Sequence, residues 1–185
     1  MIYLLRHGLD DENYIGGWSD NSLTDIGINQ IETVAKYLKE NNIVFNQIYS
    51  SDIKRTLETS TIISNELNIK IKKLPLLREL NKGLLNGMEL NKAMKLYPMY
   101  FESLDINIKY PNGECMCDLY NKIKENIDYI LSLDNSLLVT HRGVINMLYY
   151  LLNDIDLDMN KKRFNVTHAS LHKIDLQKKK IKRIY

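Results

Sequence analysis

The chain is poor in cysteine, with two in 185 residues, and both fall in one short stretch as Cys115 and Cys117. One intervening residue is a poor spacing for a bridge, and the pair is not a C-x-x-C redox motif. No second pair exists to complete a zinc site. Two reduced thiols on a helix are expected, as in a cytoplasmic chain. Net charge is small, +2, so bulk electrostatics give no reason to expect nucleic acid or an anionic membrane as partner. Long apolar runs are missing, which excludes a membrane-spanning helix. Met1–Leu5 is too short for a signal-peptide core and has no basic start. Repeats and low-complexity linkers are also missing, and the length suits one domain, residues 1–185, able to bury a core without staples.

What is present alternates between strand and helix patterns. Ile2–Leu5 reads as a buried strand. Thr24–Glu40 carries Ile28, Ile31, Val34, Ala35 and Leu38 at helical spacing, with Asn42 as its stop. Val44–Tyr49 reads as a strand, Asp52–Leu67 as a helix and Ile69–Leu74 as a third strand. Residues 76–118 are less regular, apart from a helix over Glu89–Tyr97. Gly113–Leu133 reads as one helix, and Ser136–Thr140 as a strand apolar on both faces. Val144–Leu152 is the next helix. His168–Asp175 and Lys179–Ile184 complete the pattern as two strands joined by a tight turn. Such alternation implies an α/β sheet with helices on both faces. Ligands of such sheets bind beyond the carboxyl ends of the strands. His7, Ser50-Ser51-Asp52 and Thr140-His141-Arg142 all stand at such ends.

Arginine is scarce, six against nineteen lysines, so its placement is informative. Arg6 precedes His7, Arg55 opens a helix and Arg142 follows His141. Guanidinium groups make geometrically fixed, bidentate contacts to phosphate oxygens. Two histidines with two or three arginines at one rim would make a phosphate site.

Six segments resemble, in order, motifs of the histidine phosphatase superfamily, also called the phosphoglycerate mutase-like family. They are LLRHG (4–8), GGWSDNSLTDIG (16–27), SSDIKRTLETS (50–60), LRELNKGLLNG (77–87), PNGECMCD (111–118) and LLVTHRGVI (137–145). The chain departs from the family pattern at Leu9, where Glu is frequent, at Gly16 for Gln, and at Leu85 and Asn86 for the Trp and acid of W-E-G. The resemblance implies a three-layer α/β/α sandwich with a mostly parallel sheet and one antiparallel edge strand. Residues 76–118 would form a substrate-capping segment.

The resemblance also implies chemistry. His7 would be phosphorylated, with its other ring nitrogen donating to a backbone carbonyl near Gly8 and its neutral form favoured by nearby arginines. Arg6, Arg55 and His141 would hold the phosphoryl oxygens. Glu79 would act as general acid and then base. Asn13, Gly17 and Arg142 are further candidates for substrate contact. No metal or other cofactor is expected, since such a clamp can stand in for Mg²⁺.

The implied activity is a phosphatase on a small phosphorylated metabolite. A phosphoglycerate-type mutase, with Lys92 or Lys95 in a second phosphate clamp, is the main alternative, and a non-catalytic phospholigand-binding module is the third. Mildly acidic pH should be optimal, since the reaction needs neutral His7 together with protonated Glu79. Several simpler readings compete. Arg55 could be a solvated helix charge, and Glu79 a surface partner of Arg78 or Lys82. Glu114 suits the start of its helix. His168 and His172 read as structural, with His168 able to approach the pocket. Met94, Tyr97, Met99, Tyr100 and Phe101 could line a substrate pocket but read first as packing, and the basic tail could be a polyanion patch but reads first as a protected edge strand.

Overall fold

The computed structural model describes residues 1–158, 160 and 163–185. Six strands form one sheet, in the order β3-β2-β4-β1-β5-β6. These are β1 (Ile2–Arg6), β2 (Gln47–Ser50), β3 (Ile71–Lys73), β4 (Ser136–Thr140), β5 (Leu171–Asp175) and β6 (Lys180–Arg183). The pairings β1–β4, β4–β2 and β2–β3 are parallel. Antiparallel pairing is confined to the other side, where β5 meets β1 and β6 meets β5.

The alternation of side chains along the central strands feeds two cores. Ile2, Leu4 and Leu138 point to one face, where Leu119, Ile123, Ile130, Val144, Ile145 and Leu148 cover them. Those residues come from α5 (Met116–Glu125), α6 (Ile127–Ser132) and α7 (Arg142–Asn153). Tyr3, Leu5, Leu137 and Val139 point to the opposite face, against Ile31, Val34, Leu38 and Ile63. These belong to α1 (Asp25–Glu40) and α2 (Lys54–Leu67). The result is the expected three-layer sandwich. A third, smaller cluster of Ile15, Leu85 and Ala93 lies under the irregular segment, which contains α3 (Leu90–Leu96) and α4 (Met99–Glu102).

Element ends follow local chemistry. Thr24 caps α1, its side chain accepting from the Gly27 N–H at 3.1 Å. The expected helix 113–133 is two helices. The Asn126 side chain donates to the Lys122 carbonyl at 2.8 Å and its own N–H turns back to Ile123, so the i→i−4 ladder is interrupted there. The start of α5 is also not where Glu114 was expected to act. Cys115 and Asp118 form a reciprocal capping box. Glu114 instead accepts from the Asn81 N–H at 2.8 Å and faces Lys122. β2 begins three residues later than the apolar pattern suggested, because Val44 is 69% exposed and lies outside the sheet. The basic tail is indeed an edge strand, with Lys180 and Lys182 exposed. No helix among the described residues is long and apolar enough to cross a membrane.

Candidate active site

The carboxyl ends of β1, β2 and β4 converge as the topology requires. His7 directly follows β1, Arg55 lies in the first turn of α2, and His141 is the N-cap of α7. The His7 and His141 rings have centroids 5.2 Å apart. The loop after His7 lies against α1 at contact distance. A Cβ on Gly8 would sit 2.5 Å from the Gly27 carbonyl oxygen, so close backbone approach explains Gly8.

The hydrogen bonds assign the His7 tautomer. Its Nδ1 lies 2.8 Å from the Gly8 carbonyl oxygen, which can only accept. Its Nε2 receives the Arg55 Nε–H at 3.3 Å, which can only donate. Nδ1 therefore carries the hydrogen and Nε2 the lone pair. Burial first, then Arg55, His141 and Arg6, push the His7 pKa well below its ordinary value, against a weaker opposing effect of Asp10. The ring stays neutral at neutral pH, with its lone pair beside a cation.

Arg55 is not a solvated helix charge; it is 2% exposed. Besides His7, it donates to the Gly17 carbonyl at 2.8 Å, to Ser19 Oγ at 3.3 Å and to His141 Nδ1 at 3.2 Å. Gly17 has a φ of +69°, and a Cβ there would meet Asn86 Oδ1 at 2.4 Å. Asn86, in place of the family's acid, accepts from the Trp18 and Lys82 N–H groups. It pins the loop that presents the Gly17 carbonyl. Burial lowers the Arg55 pKa, while Asp10 and Glu79 work to raise it.

Both His141 nitrogens are engaged, Nδ1 by Arg55 and Nε2 with Ser51 Oγ at 2.9 Å. The ring is fully buried and is not among the described residues that line the cavity. It stands beside His7 and is bonded to Arg55, at the edge of the same site. Arg6 does line the cavity. It donates from Nη1 to the Val166 carbonyl at 3.0 Å and from Nη2 to His168 Nε2. Its Nε is buried with no hydrogen-bond partner among the described residues. Burial, then repulsion from Arg142, lower its pKa to about 10.

Glu79 is not a partner of Arg78, which pairs with Asp52 and lies over the Trp18 ring. Its Oε2 accepts from the Gly143 N–H at 3.0 Å and its Oε1 from the Leu80 N–H at 2.9 Å. The carboxyl group is thereby tied to the first turn of α7. Arg142 and Gly17 line the cavity. Asn13 is not among the described lining residues; its side chain donates to Asp11 at 2.9 Å. His172 is structural, held between Tyr149 Oη and Ser170 Oγ.

Arg6, His7, Arg55, Glu79 and Arg142 share one cavity of about 320 Å³. Its lining mixes aromatic and apolar side chains with acidic ones, Asp11, Glu12, Asp105 and Asp158 among them. Tyr100 stacks on Tyr110 at 4.7 Å, and both line it together with Met99 and Phe101. From sequence, Met99, Tyr100 and Phe101 read as helix packing first, with lining a substrate pocket as the alternative. Asp10 and Asn146 are polar lining residues not singled out from the sequence. Asp10 has its Oδ2 3.5 Å from Arg55 Nε. Asn146 is buried, with an unpartnered Oδ1. Asp10 follows His7 by three residues, which already hinted at the site. Asn146 stands one helical turn after Arg142, a polar residue amid apolar neighbours.

His7, Asp10 and His168 offer ligand atoms within 4.8 Å of one another. Arg6 and Arg55 flank the same atoms, so the electrostatics suit an anion better than a cation. A neutral imidazole lone pair, buried guanidiniums and a positioned carboxyl can carry out nucleophilic displacement at an anionic centre.

Comparison with known proteins agrees with this geometry. The chain is 29% identical over 187 residues to a probable phosphoglycerate mutase of Yersinia pestis, covering 96% of this chain and 85% of that protein. A putative alpha-ribazole-5'-P phosphatase from Escherichia coli superposes with a TM-score of 0.82 at 20% identity, covering 99% of this chain and 93% of that one. A mycobacterial glucosyl-3-phosphoglycerate phosphatase gives 0.78 at 19% identity, covering 98% and 95%. The match to the superfamily's branch 1 spans residues 2–184, nearly the whole chain. With that match added to the converging strand ends, the chain belongs to the histidine phosphatase superfamily.

Proposed function

We propose that the protein is a phosphatase that hydrolyses a small-molecule phosphomonoester through a phosphohistidine on His7. The observation that carries this reading is the His7 tautomer. Nδ1 is tied to the Gly8 carbonyl, and Nε2 faces the cation-lined site with its lone pair. His7 Nε2 attacks phosphorus in line as the alcohol departs, with Glu79 giving the alcohol its proton. Arg6 and Arg55 stabilise charge on the phosphoryl oxygens, where electrostatic preorganisation acts in phosphoryl transfer. The Arg55–His7 and Arg55–His141 bonds are exchanged for phosphoryl oxygens when substrate binds, and His141 then adjoins the group. Water, deprotonated by Glu79, hydrolyses the P–N bond and restores His7. No metal ion is assigned a part.

The cavity suits an ester whose alcohol lies against aromatic side chains. Its lining includes Tyr100, Phe101 and Tyr110, and the segment 76–118 that carries them serves as the cap. The glucosyl-3-phosphoglycerate phosphatase and the putative alpha-ribazole-5'-P phosphatase of similar fold lend further support. Similarity to the Yersinia protein favours a mutase as second reading. A mutase needs a second phosphate clamp, yet neither Lys92 nor Lys95 is among the described residues lining the cavity.

The test is turnover of p-nitrophenyl phosphate in EDTA by the parent and His7→Ala, followed by a phosphometabolite panel with free-phosphate readout. Loss of turnover in the variant is expected. Equal rates would remove His7 as nucleophile, and isomer forming from 3-phosphoglycerate faster than phosphate would favour the mutase.

A further inference from the structure

A carboxylate is an unexpected neighbour for a bound phosphoryl dianion. Asp10 nevertheless points into the site, its Oδ1 4.0 Å from His7 Nδ1 and 3.6 Å from His168 Nε2, and its Oδ2 3.5 Å from Arg55 Nε. Left uncompensated, it would repel the substrate. His168 lines the same cavity, its ring centroid 5.5 Å from that of His7.

The bonds of His168 present a conflict. Arg6 Nη2 can only donate, so His168 Nε2 accepts from it with a lone pair. The same lone pair faces the Asp10 carboxylate across 3.6 Å. Arg6 and Asp10 therefore cannot both be satisfied by Nε2. Without a proton, Arg6 is bound and Asp10 is not. With one, Nε2–H serves Asp10 and Arg6 is set free.

We propose that Asp10 and His168 form a proton-accepting pair within the phosphate site. As a phosphoryl dianion binds, Arg6 leaves His168 for a phosphoryl oxygen, and His168 Nε2 takes a proton from solvent. That proton neutralises the repulsion between Asp10 and the dianion and is shared between the carboxylate and a phosphoryl oxygen. The released Arg6 brings its unpartnered Nε–H to the ligand as well. Other charged groups line the same cavity: Arg6 and His7 at the end of β1, Asp11 and Glu12 in the loop after it, Arg55 from α2, Glu79, Lys82 and Asp105, Arg142 from α7, and Asp158. A bound dianion adds negative charge beside His168 and favours a proton on its Nε2.

This inference rests on the phosphate-site reading above, and the test separates the two. Tungstate, a dianion through neutral pH, is titrated calorimetrically in buffers of differing ionisation heat. The parent is expected to take up a large fraction of one proton, and its Kd to rise by up to about tenfold per pH unit above neutrality. His168→Asn, with its fold checked by circular dichroism, should bind tungstate with almost no uptake and a flat pH profile. Asp10→Asn, which removes the repulsion, should bind more tightly with reduced uptake. Binding by the parent without proton uptake, or equal uptake in His168→Asn, overturns the inference while leaving the phosphate site standing. Failure of tungstate to bind the parent overturns both.

Discussion

Gly143→Ala separates activity from stability in a way the geometry makes quantitative. A Cβ on residue 143 would lie 2.0 Å from Glu79 Oε1 and 3.0 Å from Leu119 Cδ2. Leu119 is fully buried in the core, so the carboxyl group is the part that must give. Restoring contact distance moves it by on the order of 1 Å, and a displacement of that size can cost about 10²-fold in rate. The fold loses little. One hydrogen bond to the carboxyl group, about 0.5–1.5 kcal/mol net, is partly replaced by water at this half-buried position. Alanine returns up to about 1 kcal/mol in a helix. A net loss within about 2 kcal/mol leaves a domain of ordinary stability folded.

The assay compares kcat/KM for an alkyl ester, glycerol phosphate, with that for p-nitrophenyl phosphate, because this ratio reports the steps up to departure of the alcohol. An alkoxide needs a proton to leave and a nitrophenolate does not. Gly143→Ala should lose roughly 10²-fold on the alkyl ester and at most about tenfold on the aryl ester, with Glu79→Gln showing the same selectivity. Equal losses on both esters, or an alkyl-ester rate within about twofold of the parent, would refute the assignment of Glu79 as acid.

Arg55→Lys keeps the charge but discards the fork that reaches His7, Gly17, Ser19 and His141. We expect kcat/KM to fall by about 10²–10³-fold, with a lower Tm; unchanged kinetics would show that the fork is dispensable. Stability should decline as pH falls. His7 and His141 are held well below the ordinary value, first by burial and then by Arg55, and burial holds His172 at about 4. The unfolded chain therefore binds more protons below about pH 6.5, and each such histidine costs up to about 1.4 kcal/mol per pH unit. For His172 the loss ends once pH passes below about 4. Urea melts at pH values between roughly 7.5 and 5 should move steadily to lower midpoints; flat midpoints would contradict neutral burial.

The strands and most helices were legible because the core is periodic. Ser136–Thr140, apolar at both parities, matches its strand residue for residue. Asn126 was less legible, since a polar residue on a helix surface ends the helix only when its side chain finds a backbone carbonyl. The same holds for Glu114, whose nearest partner in sequence is α5 but whose partner in space is Asn81.

By itself, the sequence determined the alternation of elements, the placement of His7 and His141 at strand ends and of Arg55 at a helix start, and the motif order of a superfamily that the match over residues 2–184 bears out. These are properties of local spacing and of which residue types stand together. The tertiary structure alone decided which nitrogen of His7 is bare, that Glu79 turns from Arg78 to Gly143, that His141 is bonded to Arg55, and that Asp10 and His168 meet across 3.6 Å. The last pair is 158 residues apart in the chain. Such contacts depend on long-range closure of the chain around the sheet, and no local pattern encodes them.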